Sequence, residues 1–166
     1  MRRTLPWILV VLLAAGYGYA RSAGPSPAEN QPARVVRVVD GDTILVATAG
    51  GAQERVRYIG MDTPETVKPR TPVQCYGKKA SAANKRLVAG QAVRLVADAE
   101  RRDRYGRLLA YVYRASDGLF VNAELVRDGY ARPLTIAPNA RHAREFAALA
   151  AAARRAGRGL WSACGR

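Results

Sequence analysis

Val35, Val36, Val38 and Val39 precede Asp40-Gly41-Asp42, and Ile44 and Val46 follow it. β-branched side chains are restricted in helices and fit a pleated strand. An Asp-Gly step between two such runs is a turn signal, so the segment reads as a hairpin with an acidic turn. Gln53 to Gly60 continues as a third strand, with Val56, Tyr58 and Gly60 on one face. Pro64, Pro69 and Pro72 make Met61 to Cys75 a loop. A helix is expected from Gly77 to Val88, ended by Gly90. Val93, Leu95 and Ala97 alternate as a fourth strand, and Arg107 to Arg114 forms a fifth after the polar turn Asp98 to Gly106. Asn122 to Arg127 reads as a short helix stopped by Gly129. Arg141 to Ala156 is alanine-rich and helix-prone, with Phe146, Leu149 and Ala153 on one face. Five short strands and about three helices predict an α+β fold, a five-stranded barrel of OB type carrying helices.

The N-terminus has a different character. Arg2 and Arg3 precede an apolar run from Leu5 to Ala15 that continues, with glycines, to Ala20. A basic start and an apolar middle read as a signal peptide cleaved after Ala20, or as an uncleaved membrane anchor. Residues 21–32 contain Pro25, Pro27 and Pro32 among small polar residues and read as a linker, so the folded domain is expected over 33–166. Export to the outside, the periplasm or the cell envelope makes the two cysteines interpretable. Cys75 and Cys164 would form one disulfide in an oxidising compartment, the alternative being two unpaired thiols.

The chain has 27 Lys plus Arg against 13 Asp plus Glu, a formal charge of +14. Residues 1–20 hold only two of the basic residues and no acid, so the surplus belongs to the folded part. Such a balance favours a polyanionic partner, although a soluble basic protein would share it. One histidine, His142, excludes a His-cluster metal site and makes His-dependent nucleophilic catalysis a poor fit. It is expected at the surface, on a helix.

Two acidic clusters could carry chemistry. Asp40-Gly41-Asp42 projects positions i and i+2 to one side, and Asp62-Thr63-Pro64-Glu65 follows a strand end. Carboxylates without histidine or thiolate are hard oxygen ligands, suited to Ca²⁺ or Mg²⁺ rather than zinc. Either cluster alone is an ordinary turn. Arg57 and Arg107 add guanidinium forks that match phosphate oxygens, but with 23 arginines no single one is informative without a pattern.

A pattern exists. Val39-Asp40-Gly41-Asp42-Thr43, the run from Arg57 to Thr66 and the run from Asp103 to Val112 resemble, in order, three signatures of staphylococcal nuclease-like proteins. Val121 to Ala131 and Gly159-Leu160-Trp161 resemble further family segments. The resemblance implies a Ca²⁺-dependent phosphodiesterase that cuts DNA and RNA and leaves 3′-phosphate ends. It implies that Asp42 and Asp62 bind Ca²⁺ through carboxylates and Thr63 through its carbonyl, with Asp40 near the metal through water. It implies Glu65 as general base or water-orienting group, Arg57 and Arg107 as a clamp on the scissile phosphate, and Arg104 and Tyr105 as nucleotide-phosphate contacts. No protein partner is expected, and the chain is expected to act as a monomer. Asn122 is expected to cap a helix or to satisfy buried backbone, and Trp161 to belong to the core.

The family carries tyrosines near the bound base where this chain has Leu134-Thr135-Ile136-Ala137. Tyr130 is a possible partial substitute. Two other readings compete: a non-catalytic nucleic-acid-binding module, and an envelope-anchored protein whose basic surface holds anionic polymer or lipid. The joint presence of Asp42, Asp62, Glu65, Arg57 and Arg107 favours the enzyme over both.

Overall fold

The computed structural model describes residues 32–66 and 71–164. The leader expected over 1–20 and all but the last residue of the expected linker lie outside the described residues. Pro32, expected as linker, is the first residue of a strand.

The elements run β1 (Pro32–Val38), β2 (Thr43–Ala47), β3 (Gln53–Tyr58), β4 (Met61–Asp62), α1 (Gly77–Val88), β5 (Ala92–Val96), β6 (Leu108–Arg114), α2 (Val121–Arg127), β7 (Arg132–Pro133), α3 (Ala143–Arg155) and α4 (Leu160–Ala163). Five strands close a barrel in the order β1-β2-β3-β6-β5. All neighbours are antiparallel except β3 and β6, which run parallel with Arg57 opposite Leu109. This is the expected OB-type α+β architecture. Alternation explains it: Val35, Ile44, Val46, Val56, Val93 and Leu95 point inward and are buried, while Leu45 and Arg55 face out. Each such apolar side chain contributes about 1.5–3 kcal/mol on burial.

A second part of the core lies where the helices meet the barrel. Phe146 and Ala153 of α3 are buried as expected, and Leu149 packs partly buried beside them. Phe146 also explains a departure from expectation. Gly60 does not extend β3; it turns the chain with φ 81°, and a Cβ there would collide with the Phe146 ring. The turn releases Met61–Asp62 from the expected loop to pair with β7. Among the described residues there are four helices, in keeping with the expected three or so, α4 being a single turn with Leu160 buried.

Three expectations about single residues resolve here. Asn122 does not cap α2; it is fully buried, accepts from the Val112 amide at 2.9 Å and donates to the Ile59 carbonyl at 2.9 Å. Trp161 packs half-buried against the core, with the guanidinium groups of Arg132 and Arg154 over its ring at 5.2 and 5.8 Å. His142 sits partly exposed at the start of α3, as expected, but one side of its ring packs into an aromatic cluster. Its ring lies 4.6 Å from Tyr111 and 4.9 Å from Phe120, and Nδ1 lies 2.7 Å from Glu145 Oε2. The ring is steeply inclined to those of Tyr111 and Phe120, an arrangement that aromatic quadrupoles favour.

Candidate active site

The turn between β1 and β2 brings the first acidic cluster to the barrel mouth. The Asp42 amide donates to Asp40 Oδ1 at 3.1 Å, and the Val39 amide donates to the Thr43 carbonyl at 2.9 Å. The Asp40 carbonyl accepts from Asn84 Nδ2 at 3.0 Å, and Tyr58 Oη, inside the barrel, donates to Asn84 Oδ1 at 2.9 Å. Gly41 is required by proximity, because a Cβ there would meet the Thr63 side chain.

Asp42 joins the two acidic clusters. Its Oδ2 accepts from both the amide and the hydroxyl of Thr63, each at 2.9 Å, and its Oδ1 accepts from Thr43 Oγ1 at 3.1 Å. Arg57, opposite Thr43 on β3, pairs with Asp42 through Nη1 and donates from Nη2 to Asp62 Oδ1 at 2.7 Å. One guanidinium thus bridges the two carboxylates that the family resemblance implies as metal ligands. Burial opposes the Arg57 charge, but Asp42 and Asp62 outweigh it and raise its pKa further. Burial, followed by the like charge of Asp42, pushes the Asp40 carboxyl up to about 6. Burial also raises Asp62, with Arg57 working against it.

Glu65 lies on the loop after β4. Its amide donates to Gln74 Oε1 at 2.8 Å, its carbonyl accepts from the Gln74 amide at 2.9 Å, and its Oε1 accepts from the Thr66 amide at 2.8 Å. Cys75, next to Gln74, forms a disulfide with Cys164 across 89 residues of sequence. From the opposite wall Arg107 reaches Asp103 Oδ2 through Nε at 2.7 Å, with the Tyr105 ring 5.5 Å away. Burial opposes ionisation of Asp103, but Arg107 and two backbone amides hold its carboxyl below the ordinary range.

These groups share one cleft of about 520 Å³, lined by Asp40, Asp42, Asp62, Thr63, Glu65, Arg57, Arg107 and Tyr105. Arg104 is not among them. It leans over the Tyr105 ring, donates to Tyr105 Oη at 2.7 Å, and lines a neighbouring groove of about 420 Å³ with Leu134 and Ile136. That groove is fixed by Asn139, which exchanges hydrogen bonds of 2.7 and 3.0 Å with the backbone of Glu100. Tyr130 does not line either; it stacks on Tyr76 at 5.7 Å beside α1. The structure adds residues that carried no sequence signal, Arg55 in the cleft wall, Asn84 behind Asp40 and Gln74 behind Glu65, and it places Thr43 of the first signature in the wall as well. Among the described residues no group of three or more His, Cys, Asp or Glu is arranged to hold a metal ion.

A family model described as staphylococcal nuclease homologue matches residues 55–163, most of the described chain. The chain belongs to the staphylococcal nuclease family. Within it, a thermonuclease of Staphylococcus hyicus is 42% identical over 155 residues, covering 93% of this chain and 90% of that one. A thermonuclease of Staphylococcus intermedius is 46% identical over 136 residues, 79% of this chain and 77% of that one. The endonuclease YncB of Bacillus subtilis is 46% identical over 112 residues, 66% of this chain and 52% of that one.

Proposed function

We propose that this protein is an exported, Ca²⁺-dependent nuclease that hydrolyses phosphodiester bonds in DNA and RNA and leaves 3′-phosphate ends. The observation that carries the reading is the single cleft in which Asp42, Asp62, Thr63 and Glu65 face Arg57 and Arg107. Relatives named thermonuclease and endonuclease support it. The Cys75–Cys164 disulfide supports an oxidising compartment.

The donors suit a hard cation. Asp42, Asp62 and the Thr63 carbonyl would hold Ca²⁺ through oxygen. Burial, and after it the neighbouring charge of Asp42, make Asp40 a weaker acid than usual, and a cation bound there would favour its ionised form. Bound there, Ca²⁺ would supply Lewis-acid polarisation of a phosphate oxygen.

The chain's own groups account for the rest. Arg57 and Arg107 hold the non-bridging phosphate oxygens and neutralise the charge that builds on them. Glu65, whose carboxylate is steadied by the Thr66 amide, orients the water and takes its proton as the oxygen attacks phosphorus. The bond from phosphorus to the 5′-oxygen breaks, the departing oxygen takes a proton from solvent to become the 5′-hydroxyl, and the phosphate stays on the 3′ side. Arg104 and Tyr105 contact the neighbouring nucleotide from the rim.

The test is a cleavage assay on single-stranded DNA, duplex DNA and RNA with Ca²⁺, Mg²⁺ or chelator, beside Glu65→Ala and Arg57→Ala. Ca²⁺-dependent cutting that chelator and both substitutions suppress is expected. Folded protein that binds nucleic acid but cuts none of it with either metal would replace this reading with a binding module.

A further inference from the structure

The strands beside the cleft carry an irregularity with a chemical consequence. Val35 of β1 lies opposite Val46 of β2, but Arg37 lies opposite Leu45, so β1 advances two residues while β2 advances one. Regular pairing would set Val36 opposite Leu45 and Arg37 opposite Ile44, whose side chain is fully buried in the barrel. The bulge leaves Val36 and Arg37 both exposed and turns the arginine to the outer face. Leu45 in turn pairs with Arg55 of β3. The outer surface therefore holds a row Arg37–Leu45–Arg55, and the next row away from the cleft begins with Arg34 opposite Ala47.

This row is continuous with the site. Arg55 lines the cleft, and Arg57, two residues on and on the same face, bridges Asp42 and Asp62. No acid projects from these two rows. Glu54, the nearest acid in sequence, is held by Arg102 through hydrogen bonds of 2.9 and 3.1 Å. With strands about 4.8 Å apart, the backbones of Arg37 and Arg55 are separated by about 10 Å, a span that two long side chains match to nearby phosphates of one strand. The row offers only Leu45 and Val36 as apolar groups, too little to insert into a lipid surface.

We propose that the outer face of β1, β2 and β3 binds the sugar-phosphate backbone of single-stranded nucleic acid beyond the cleft, with Arg55 and Arg37 each contacting a phosphate. The inference rests on the phosphodiesterase reading and extends it from one phosphate to a track. The contacts are sequence-independent, so they set affinity and substrate length rather than base choice.

The experiment measures binding of a labelled single-stranded 20-mer to the Glu65→Gln protein by fluorescence anisotropy over a range of salt with Ca²⁺ present. Arg37→Gln and Arg55→Gln should each reduce the slope of log affinity against log salt by about 0.7, the value for one phosphate contact on a single strand. Arg37→Lys should restore the slope, since the charge is kept. Thermal melts establish that each variant folds. With Glu65 intact, the ratio of native to Arg37→Gln kcat/KM should grow from a dinucleotide to the 20-mer. An unchanged slope for both arginine variants overturns the track while leaving the cleavage reading standing, provided the parent cuts. So does loss of slope on Lys78→Gln with Lys79→Gln instead, because α1 would then carry the strand. Loss of binding to anionic phospholipid vesicles, with the oligonucleotide slope kept, would reassign the face to a membrane. A parent that neither cuts nor binds overturns the phosphodiesterase reading itself.

Discussion

Gln74 holds Glu65 from both sides of its peptide: the Glu65 amide donates to the Gln74 side chain at 2.8 Å, and the Gln74 amide donates to the Glu65 carbonyl at 2.9 Å. Neither bond touches the carboxylate, so Gln74 acts on the placement of the proposed base and not on its charge. Misplacing a catalytic group by about 1 Å costs up to about 100-fold. Gln74→Ala is expected to lower kcat by about ten- to a hundredfold with little change in KM. Gln74→Glu keeps the acceptor and should recover much of the loss. Steady-state kinetics on a short oligonucleotide check both, and a change confined to KM would assign Gln74 to substrate binding instead.

The disulfide continues the same chain of support, because Cys75 follows Gln74 and is tied to Cys164 after α4. Closing a loop of 89 residues limits the unfolded chain by about 4–5 kcal/mol in the chain-entropy model, an upper bound. Cys75→Ser with Cys164→Ser is therefore expected to lose up to that much in denaturant unfolding, and native protein under reductant to follow it. Under conditions where the variant stays folded, kcat should also fall, because the segment holding Glu65 loses its anchor. Full kcat in the folded variant would show that the bridge serves stability alone.

Much of this site was legible because its residues sit in local motifs. Asp40 and Asp42 occupy one turn, Asp62 and Glu65 one loop start, and strand alternation gave the barrel. What was not legible depends on distant contacts. Gly60 looks like a strand residue until Phe146, far along the chain, packs against it and enforces the turn. Val35-Val36-Arg37-Val38 alternates equally well in two registers, so only pairing with β2 and β5 reveals the bulge. From sequence Asn122 fits either a helix cap or a partner for buried backbone, and only the packing of α2 on β6 and on the residue after β3 selects the second. Gln74 has no signal at all, because its role exists only once the loop folds back on Glu65.

Asn84 supplies a test of how the acidic turn is supported. It is fully buried and links Tyr58 Oη to the Asp40 carbonyl. Burial pushes the Tyr58 hydroxyl up, so it stays a donor through the neutral range. Tyr58→Phe leaves the Asn84 oxygen without its donor, at a cost of about 1–3 kcal/mol. Asn84→Ala strands both the Tyr58 hydroxyl and the Asp40 carbonyl and should cost more. Ca²⁺ titration by calorimetry is expected to show weaker binding in Asn84→Ala than in Tyr58→Phe, since only the former releases the turn. Equal affinities would mean that the Asp42 contacts to Thr63 hold the site unaided.

The groove beside the cleft is where the proposed reading would seat the base next to the scissile phosphate. Leu134 and Ile136 line it, 39% and 63% exposed, and Asn139 pins that segment to Glu100. An aliphatic wall covers a base by contact alone, whereas an aromatic ring adds stacking of about 1–3 kcal/mol per base. Because the wall is already fixed, a ring at this position loses little further freedom on binding. Ile136→Tyr, in the Glu65→Gln protein, is therefore expected to tighten a single-stranded oligonucleotide by about fivefold or more, by fluorescence anisotropy. The gain should vanish on an abasic strand of equal length, which keeps the phosphates but offers nothing to stack. An equal gain on both strands would mean that position 136 meets the sugar-phosphate backbone and that the base lies elsewhere.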